Sequence, residues 1–156
     1  MGVVGILWGN SHVTHHGWAV PIASLNDPER RLQWPLKWSA RIGLTTFRTT
    51  LHHVNDQIIM GSNGRSYSAL RYDALDGVHF LDAATGRLRQ QIRPDRKGDQ
   101  DVNGVGVTAQ HVFFGNDDHH VFAYRWDQTM AWSIELDADI EGAPAISDFN
   151  LDGVMD

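Results

Sequence analysis

The last nine residues, 148–156, carry the side chains best suited to chemistry, because oxygen-bearing residues recur there at alternate positions. They read D-F-N-L-D-G-V-M-D. Oxygen ligands at positions one, three and five converge when a loop winds around a hard cation, and a glycine at position six permits the sharp turn. The seventh carbonyl and the ninth carboxylate add two ligands. The sequence therefore predicts a calcium site formed by Asp148, Asn150, Asp152, the carbonyl of Val154, and Asp156.

The predicted calcium has a structural role, because its ligands would saturate the ion and leave no open position beside a nucleophile. The apolar residues of the loop, Phe149, Leu151 and Val154, are expected to point away from the cation and into a core. An EF-hand would require a glutamate at position twelve, which the sequence does not contain. An acidic turn that binds no metal is the alternative interpretation.

A second acidic stretch, residues 99–104, begins in a similar way with D-Q-D-V-N-G. Its ninth position holds Val107 in place of a carboxylate. We therefore favour a solvated loop over a second calcium site.

Most of the nine histidines are clustered, which raises the possibility of another metal site. The clustered residues are His12, His15, His16, His52, His53, His119 and His120. The chain has no cysteine and no H-E-x-x-H pattern, so turn and surface roles are favoured over zinc ligation. It also lacks the G-x-S-x-G, P-loop and G-x-G-x-x-G motifs of nucleophilic and phosphate-binding sites.

Residues 77–92 provide the clearest element that could position such side chains. Two β-type runs, 78–81 and 88–92, flank the turn D-A-A-T-G at residues 82–86. Asp or Thr side chains can accept hydrogen bonds from the backbone of such a turn, and Gly86 supplies a positive φ without steric cost. The pattern predicts a β-hairpin with a loop of about four or five residues.

This hairpin resembles the outer hairpin of the PQQ-like (quinoprotein or BamB-like) β-propeller repeat, whose pattern is roughly V-Y-A-L-D-A-x-T-G-x-x-x-W. The matching residues are Val78, Leu81, Asp82, Ala83, Thr85, Gly86 and Leu88. Gln90 stands where that family has its blade-docking tryptophan. The resemblance implies a propeller fold, but the same repeat occurs with and without a PQQ cofactor.

The chain also repeats itself, as a propeller requires. Residues 56–64 parallel 110–118, residues 78–81 parallel 121–124, and residues 88–92 parallel 130–134, with Trp132 in the docking position. Trp38 is placed like the last-strand tryptophan of a preceding blade. We predict an all-β fold of antiparallel four-stranded blades that does not close into a ring by itself. An ordinary antiparallel sandwich is the alternative.

The repeats divide the chain into four parts. Residues 1–36 are unassigned or belong to an earlier blade, residues 37–98 form a blade with an insertion at 65–75, residues 99–139 form a second blade, and residues 140–156 begin a third. Closed propellers need about four blades. We therefore expect a fragment of a longer propeller, completed by further blades or by self-assembly.

The terminal loop and its lead-in, about 15 residues, resemble the calcium loop of FG-GAP/VCBS (integrin-α-like) propeller repeats. Such loops suit environments rich in calcium, so the resemblance implies a periplasmic or extracellular protein. The short apolar start, residues 2–8, has no basic region before it and is interpreted as a strand or a clipped terminus, not as a signal peptide. No stretch is long and apolar enough for a membrane helix.

The net charge of −6 lies in the last 20 residues, which hold six acids and no Lys or Arg, whereas the first 136 residues are neutral. No basic patch with interleaved aromatics is present, so nucleic acid is not an expected partner.

These features favour a non-catalytic propeller scaffold or binding module, with a protein or glycan partner and structural calcium. One alternative is a fragment of a PQQ-dependent dehydrogenase, although PQQ itself is not an expected cofactor. Another is a carbohydrate-binding or polysaccharide-lyase propeller, for which four tryptophans remain free of a packing role. These are Trp8, Trp18, Trp34 and Trp126.

Overall fold

The computed structural model describes residues 2–6, 14–20, 38–43, 49–64, 74–94 and 98–155. Within these ranges the chain forms eleven strands and no helix. The predicted all-β class is confirmed. Among the described residues there is also no helix of the length and apolar character that a membrane crossing requires.

The eleven strands form three antiparallel sheets, each built from strands in chain order. The first sheet contains β1 (Gly2–Ile6), β2 (Thr14–Val20) and β3 (Trp38–Arg41). The second contains β4 (Leu51–Val54), β5 (Gln57–Asn63), β6 (Asp76–Asp82) and β7 (Leu88–Ile92). The third contains β8 (Val105–Val107), β9 (His111–Gly115), β10 (His120–Arg125) and β11 (Met130–Glu135).

The second and third sheets are therefore four-stranded and do not close into a barrel, as predicted. The runs that the sequence pairs as repeats occupy equivalent places, since β5 and β9 are second strands and β6 and β10 are third strands. β3 pairs with β2, so Trp38 lies on the last strand of the sheet that precedes β4. The expected insertion at 65–75 falls almost entirely outside the described residues.

The hairpin between β6 and β7 owes its shape to Asp82. One oxygen of its carboxylate accepts hydrogen bonds from the backbone N–H groups of Ala84 (3.0 Å) and Thr85 (2.7 Å) and from the Thr85 hydroxyl (2.8 Å). The other oxygen binds Arg89. The Thr85 hydroxyl and then Arg89 lower the pKa of Asp82 to about 2, and Gly86 has a φ of 72°. The predicted hairpin is confirmed.

Apolar side chains fill the space between consecutive sheets. The larger cluster joins the second and third sheets and includes Ile59, Val78, Phe80, Ile92, Val102, Val105, Val112, Phe114, Phe122 and Tyr124. Phe114 stacks on Phe122 and on Tyr124, with ring centroids 5.2 and 5.6 Å apart. The opposite face of the second sheet packs Ile58, Met60 and Leu81 against Ile42. The second sheet is thus buried on both faces.

Trp38 connects the first sheet to the turn between β6 and β7 of the second sheet. Its indole N–H donates a hydrogen bond to the carbonyl of Ala83 (3.0 Å). Its ring lies so close to Gly86 that a Cβ at that position would overlap it. Ala40, two residues further along the strand, packs with Trp38 against the apolar cluster on this face of the second sheet. Ile42 belongs to that cluster and is 1% exposed. The face formed by residues 38, 40 and 42 therefore covers the second sheet.

The junction between the second and third sheets uses its tryptophan differently. Trp126, in the turn between β10 and β11, meets the ring of Phe80 edge-on with centroids 6.2 Å apart. Its indole N–H donates to the carbonyl of Ala109 (3.0 Å). The expectation that Trp126 is free of a packing role is therefore wrong. Gln90, at the position of the missing tryptophan, has a buried Nε2 with no hydrogen-bond partner among the described residues.

We expect Trp38→Ala to lower the free energy of unfolding by roughly 2–3 kcal/mol, because the half-buried ring and its hydrogen bond are both lost. Trp132→Ala is a matched control, since Trp132 also lies on the last strand of a sheet but is 42% exposed. Urea unfolding monitored by circular dichroism measures both variants. Equal losses in the two variants would contradict the role assigned to Trp38.

Candidate functional site

The predicted calcium loop is wound tightly by its own side chains. The two carboxylate oxygens of Asp148 accept the backbone N–H groups of Asp152 (3.0 Å) and Gly153 (2.8 Å). The Asn150 side-chain oxygen also accepts the N–H of Asp152 (3.0 Å), and Asp152 accepts the N–H of Val154 (2.8 Å). The structure thus brings Asp148, Asn150 and Asp152 together around one turn.

The expectation that the loop's apolar residues enter a core is wrong. Phe149, Leu151 and Val154 are 68%, 87% and 64% exposed. The alternation of polar and apolar residues separates two faces, but no described strand follows β11 to cover the apolar one. Asp156 lies outside the described residues. The calcium ligation predicted for this loop therefore stays a prediction.

A second acidic group lies between the second and third sheets. Carboxylate oxygens of Asp99, Asp101 and Asp117 all fall within 4.8 Å of one another. Asp99 and Asp101 come from the segment that leads into β8, and Asp117 from the turn after β9. The backbone N–H of Asp117 donates to the carbonyl of Asp101 (3.2 Å), which holds the two segments together. Gln100 and Asp101 are only 0% and 4% exposed, so the expectation of a solvated loop at residues 99–104 is wrong.

Burial and neighbouring acids make this cluster electrostatically unfavourable when fully ionised. Burial, followed by the charges of Asp99, Asp76 and Asp117, raises the pKa of Asp101 to about 8. Burial also raises the pKa of Asp99. Asp76, itself 2% exposed, forms a side-chain hydrogen bond with Asp101. Such a group can share a proton, and its spacing would also suit one hard cation.

Sequence reasoning found only part of this cluster. The stretch 99–104 is recognisable as acidic, but Asp117 reads as part of a turn and Asp76 lies in another repeat. Strand register is the one signal that could have pointed to Asp76. Asp76 begins β6 and pairs with Asn63, the last residue of β5, so it lies at the end of the second sheet. Only the packing of one sheet on the next brings the four acids together.

Buried amides adjoin the acidic residues in the chain and form hydrogen bonds with one another. Asn63 donates from Nδ2 to the side-chain oxygen of Asn103 (2.8 Å), and Asn103 donates in turn to Glu141 (3.1 Å). On the other side, Asn116 donates to the side-chain oxygen of Gln100 (3.2 Å). Asn63, Asn103 and Glu141 come from three successive repeats, so the hydrogen bonds continue from one repeat to the next.

The described histidines make structural contacts. His52 lies 2.6 Å from the carbonyl of Val105, and His119 lies 3.1 Å from Asp139. Among the described residues, no histidine belongs to a group of three or more His, Asp or Glu side chains whose ligand atoms lie close together; the acidic group above contains none. His12 and the side chains of His15 and His16 lie outside the described residues.

The sequence fits no known family profile, and no curated protein matches it significantly.

We expect Asp101→Asn to make the protein more stable than wild type at pH 8 and to leave the two similar near pH 4. The wild-type carboxyl is protonated more readily when folded, so its stability falls as pH rises from 3.8 toward 8. The amide that replaces the carboxyl cannot ionise, so the stability of the variant lacks this decrease with rising pH. Urea unfolding across this pH range measures the difference.

Asp127→Asn serves as the control, because Thr129 lowers the pKa of this exposed carboxyl. That variant should lose a little stability at neutral pH, which is the opposite sign. Parallel pH profiles for wild type and Asp101→Asn would contradict the raised pKa.

The burial of His79 leads us to predict a second pH effect, which is a loss of stability in acid. Burial lowers its pKa from 6.5 to about 4, so the unfolded chain takes up the proton first. The contribution of His79 to stability should fall by about 3 kcal/mol between pH 6.5 and pH 4 and level off below pH 4, opposite in sign to the contribution of Asp101 over this range. His79→Gln removes this dependence in an unfolding titration, whereas His53→Gln, at an exposed position, keeps it. If the stability of His79→Gln depended on pH between 6.5 and 4 as the wild type does, a group other than His79 would be responsible.

Proposed function

We propose that this chain is a non-catalytic β-propeller scaffold or binding module, part of a longer repeat protein and stabilised by structural calcium. The observation that carries the proposal is the contact of Trp38 with Ala83 and Gly86. It joins the last strand of one sheet to the hairpin turn of the next. The resemblance to PQQ-like repeats implies a tryptophan on the last strand that docks one blade on another, and the position and contact of Trp38 support that role.

The order of the strands supports the same proposal. Both four-stranded sheets run in simple chain order, and each begins after the previous sheet has ended. A sandwich with exchanged strands would break this order. Sheets that follow one another and pack face to face are typical of radial repeat proteins.

Residues 140–146 support continuation of the repeat past β11. A Cβ at Gly115 would overlap Ile140, and one at Gly106 would meet Ile146, so this segment lies directly on the third sheet. The segment leading into β8 lies on the second sheet in a similar way, with the N–H of Val102 donating to the carbonyl of Ser62 (3.2 Å). Residues 140–146 therefore occupy the place where a further blade would begin.

The calcium part of the proposal rests on the winding of the terminal loop around Asp148. Exposed carboxylate sites of this kind bind calcium with dissociation constants on the order of 10⁻⁴–10⁻³ M, which fits an extracytoplasmic setting. In such a setting the cation would fix the loop that follows residues 140–146. The ion would hold neighbouring repeats together without taking part in a reaction.

Calorimetric titration of the full chain with calcium tests this proposal. We expect heat from wild type, loss of the heat in Asp152→Ala, and retention in Asp127→Asn, whose carboxyl is exposed in a different turn. Asp101→Asn distinguishes the two acidic groups, because it should leave binding at the terminal loop intact.

Absence of heat in wild type would remove calcium from the proposal. Loss of heat in Asp101→Asn alone would move the ion to the cluster between the sheets, and the terminal loop would then be an acidic turn.

A further inference from the structure

The third sheet has an exposed apolar face along its last strand and the residues that follow it. Trp132, Ile134 and Leu136 are 42%, 54% and 46% exposed. Trp132 also contacts Phe113, two strands away, with ring centroids 6.0 Å apart. Side chains at alternate positions thus form one surface that extends from β11 toward β9.

The first sheet shows what covers a surface of this kind. Trp38, Ala40 and Ile42 have the same spacing as Trp132, Ile134 and Leu136, and they lie against the second sheet. At that junction the tryptophan requires two features from its partner, namely a carbonyl that accepts the indole N–H and a glycine beneath the ring. A β-hairpin turn provides both.

The chain itself already covers the other half of the third sheet. Ile140 lies against Gly115 and Ile146 against Gly106, at the β8 and β9 side. The corresponding segment at the previous junction leads directly into a complete sheet, β8–β11. The established interface therefore continues across the third sheet, and the β11 half is the part left exposed.

Charge restricts the partner further. Residues 126–156 contain eight acids and no Lys or Arg. Asp127, Glu135 and Asp137 are exposed on or beside β11. The hairpin that receives Trp38 has the opposite character, with exposed Arg87 and Arg89 directly after its turn. A basic hairpin would complement the acidic surroundings of Trp132.

We propose that the apolar face of Trp132, Ile134 and Leu136 binds a further antiparallel sheet through a basic β-hairpin whose turn contains glycine. The hairpin carbonyl accepts the hydrogen bond of the Trp132 indole, and the glycine leaves room for the ring. Ile134 and Leu136 cover the strands behind the turn. This inference rests on the proposed function, because it supplies the kind of partner that the repeat scaffold binds.

The test uses a synthetic peptide of residues 76–93, cyclised because an isolated hairpin is marginally stable. A fluorescent label on the peptide allows anisotropy titration with the full-length chain. We expect Trp132→Ala to weaken binding at least ten-fold. Leu88→Ala is the control, since Leu88 is an equally exposed apolar residue (51%) on the last strand of the second sheet.

A second peptide, with Arg87→Gln, tests the charge and leaves the Asp82–Arg89 ion pair of the turn intact. It should bind several-fold more weakly than the first peptide, and its binding should depend less on salt. Equal binding of both peptides would overturn the basic character of the partner. Equal binding of the first peptide to wild type and Trp132→Ala would overturn the whole inference.

Sedimentation velocity of the chain alone tests a different occupant. Self-association that Trp132→Ala abolishes would show a second copy on this face and would overturn the proposed hairpin partner. The calcium titration above separates the two proposals. Calcium heat without peptide binding would leave the scaffold in place and refute only the partner assigned here.

Discussion

The structure depends on one constraint, which is that the second sheet must be covered on both faces. Residues 58–63 of β5 are all buried, with Ile58 and Met60 facing the first sheet and Ile59 facing the third. A strand with water on one side would show polar residues at alternate positions. Removing either neighbouring sheet would therefore expose apolar surface that no local rearrangement could hide. The stability of this sheet depends on its contacts with the first and third sheets as much as on its own backbone hydrogen bonds.

The junction between the second and third sheets combines an apolar middle with a polar end. At the polar end Asp76 and Asp101 are buried beside the amides of Asn63 and Asn103. Burying carboxylates together is unfavourable unless a proton or a cation neutralises them. Alignment of the sheets is thus coupled to the ionisation of this group. Packing alone fixes how close the sheets lie, whereas the amide hydrogen bonds fix how far one sheet slides along the next.

Local chemistry explains which features could be predicted from the sequence. The hairpin at 82–86 follows from one Asp, one Thr and one Gly within five residues, and the all-β class follows from repeated short apolar runs. The acidic cluster could not be predicted, because Asp76, Asp101 and Asp117 lie in separate segments that meet only through packing between sheets. The role of Trp126 was missed for the same reason. For the terminal loop, alternation predicted two faces correctly, but it contains no information about whether another element covers the apolar one.

The two tryptophan contacts are not equivalent, so the three sheets, which form successive layers, are fixed in their order. At the first junction the ring of Trp38 comes from the upstream strand and enters the downstream turn. At the second, Trp126 belongs to the downstream turn and packs against Phe80 of the upstream sheet. If the middle layer were deleted, Trp38 would approach the turn at residues 126–129, which contains no glycine to leave room for its ring. The layers are therefore not interchangeable modules, and loss or duplication of one would require new residues at both of its boundaries.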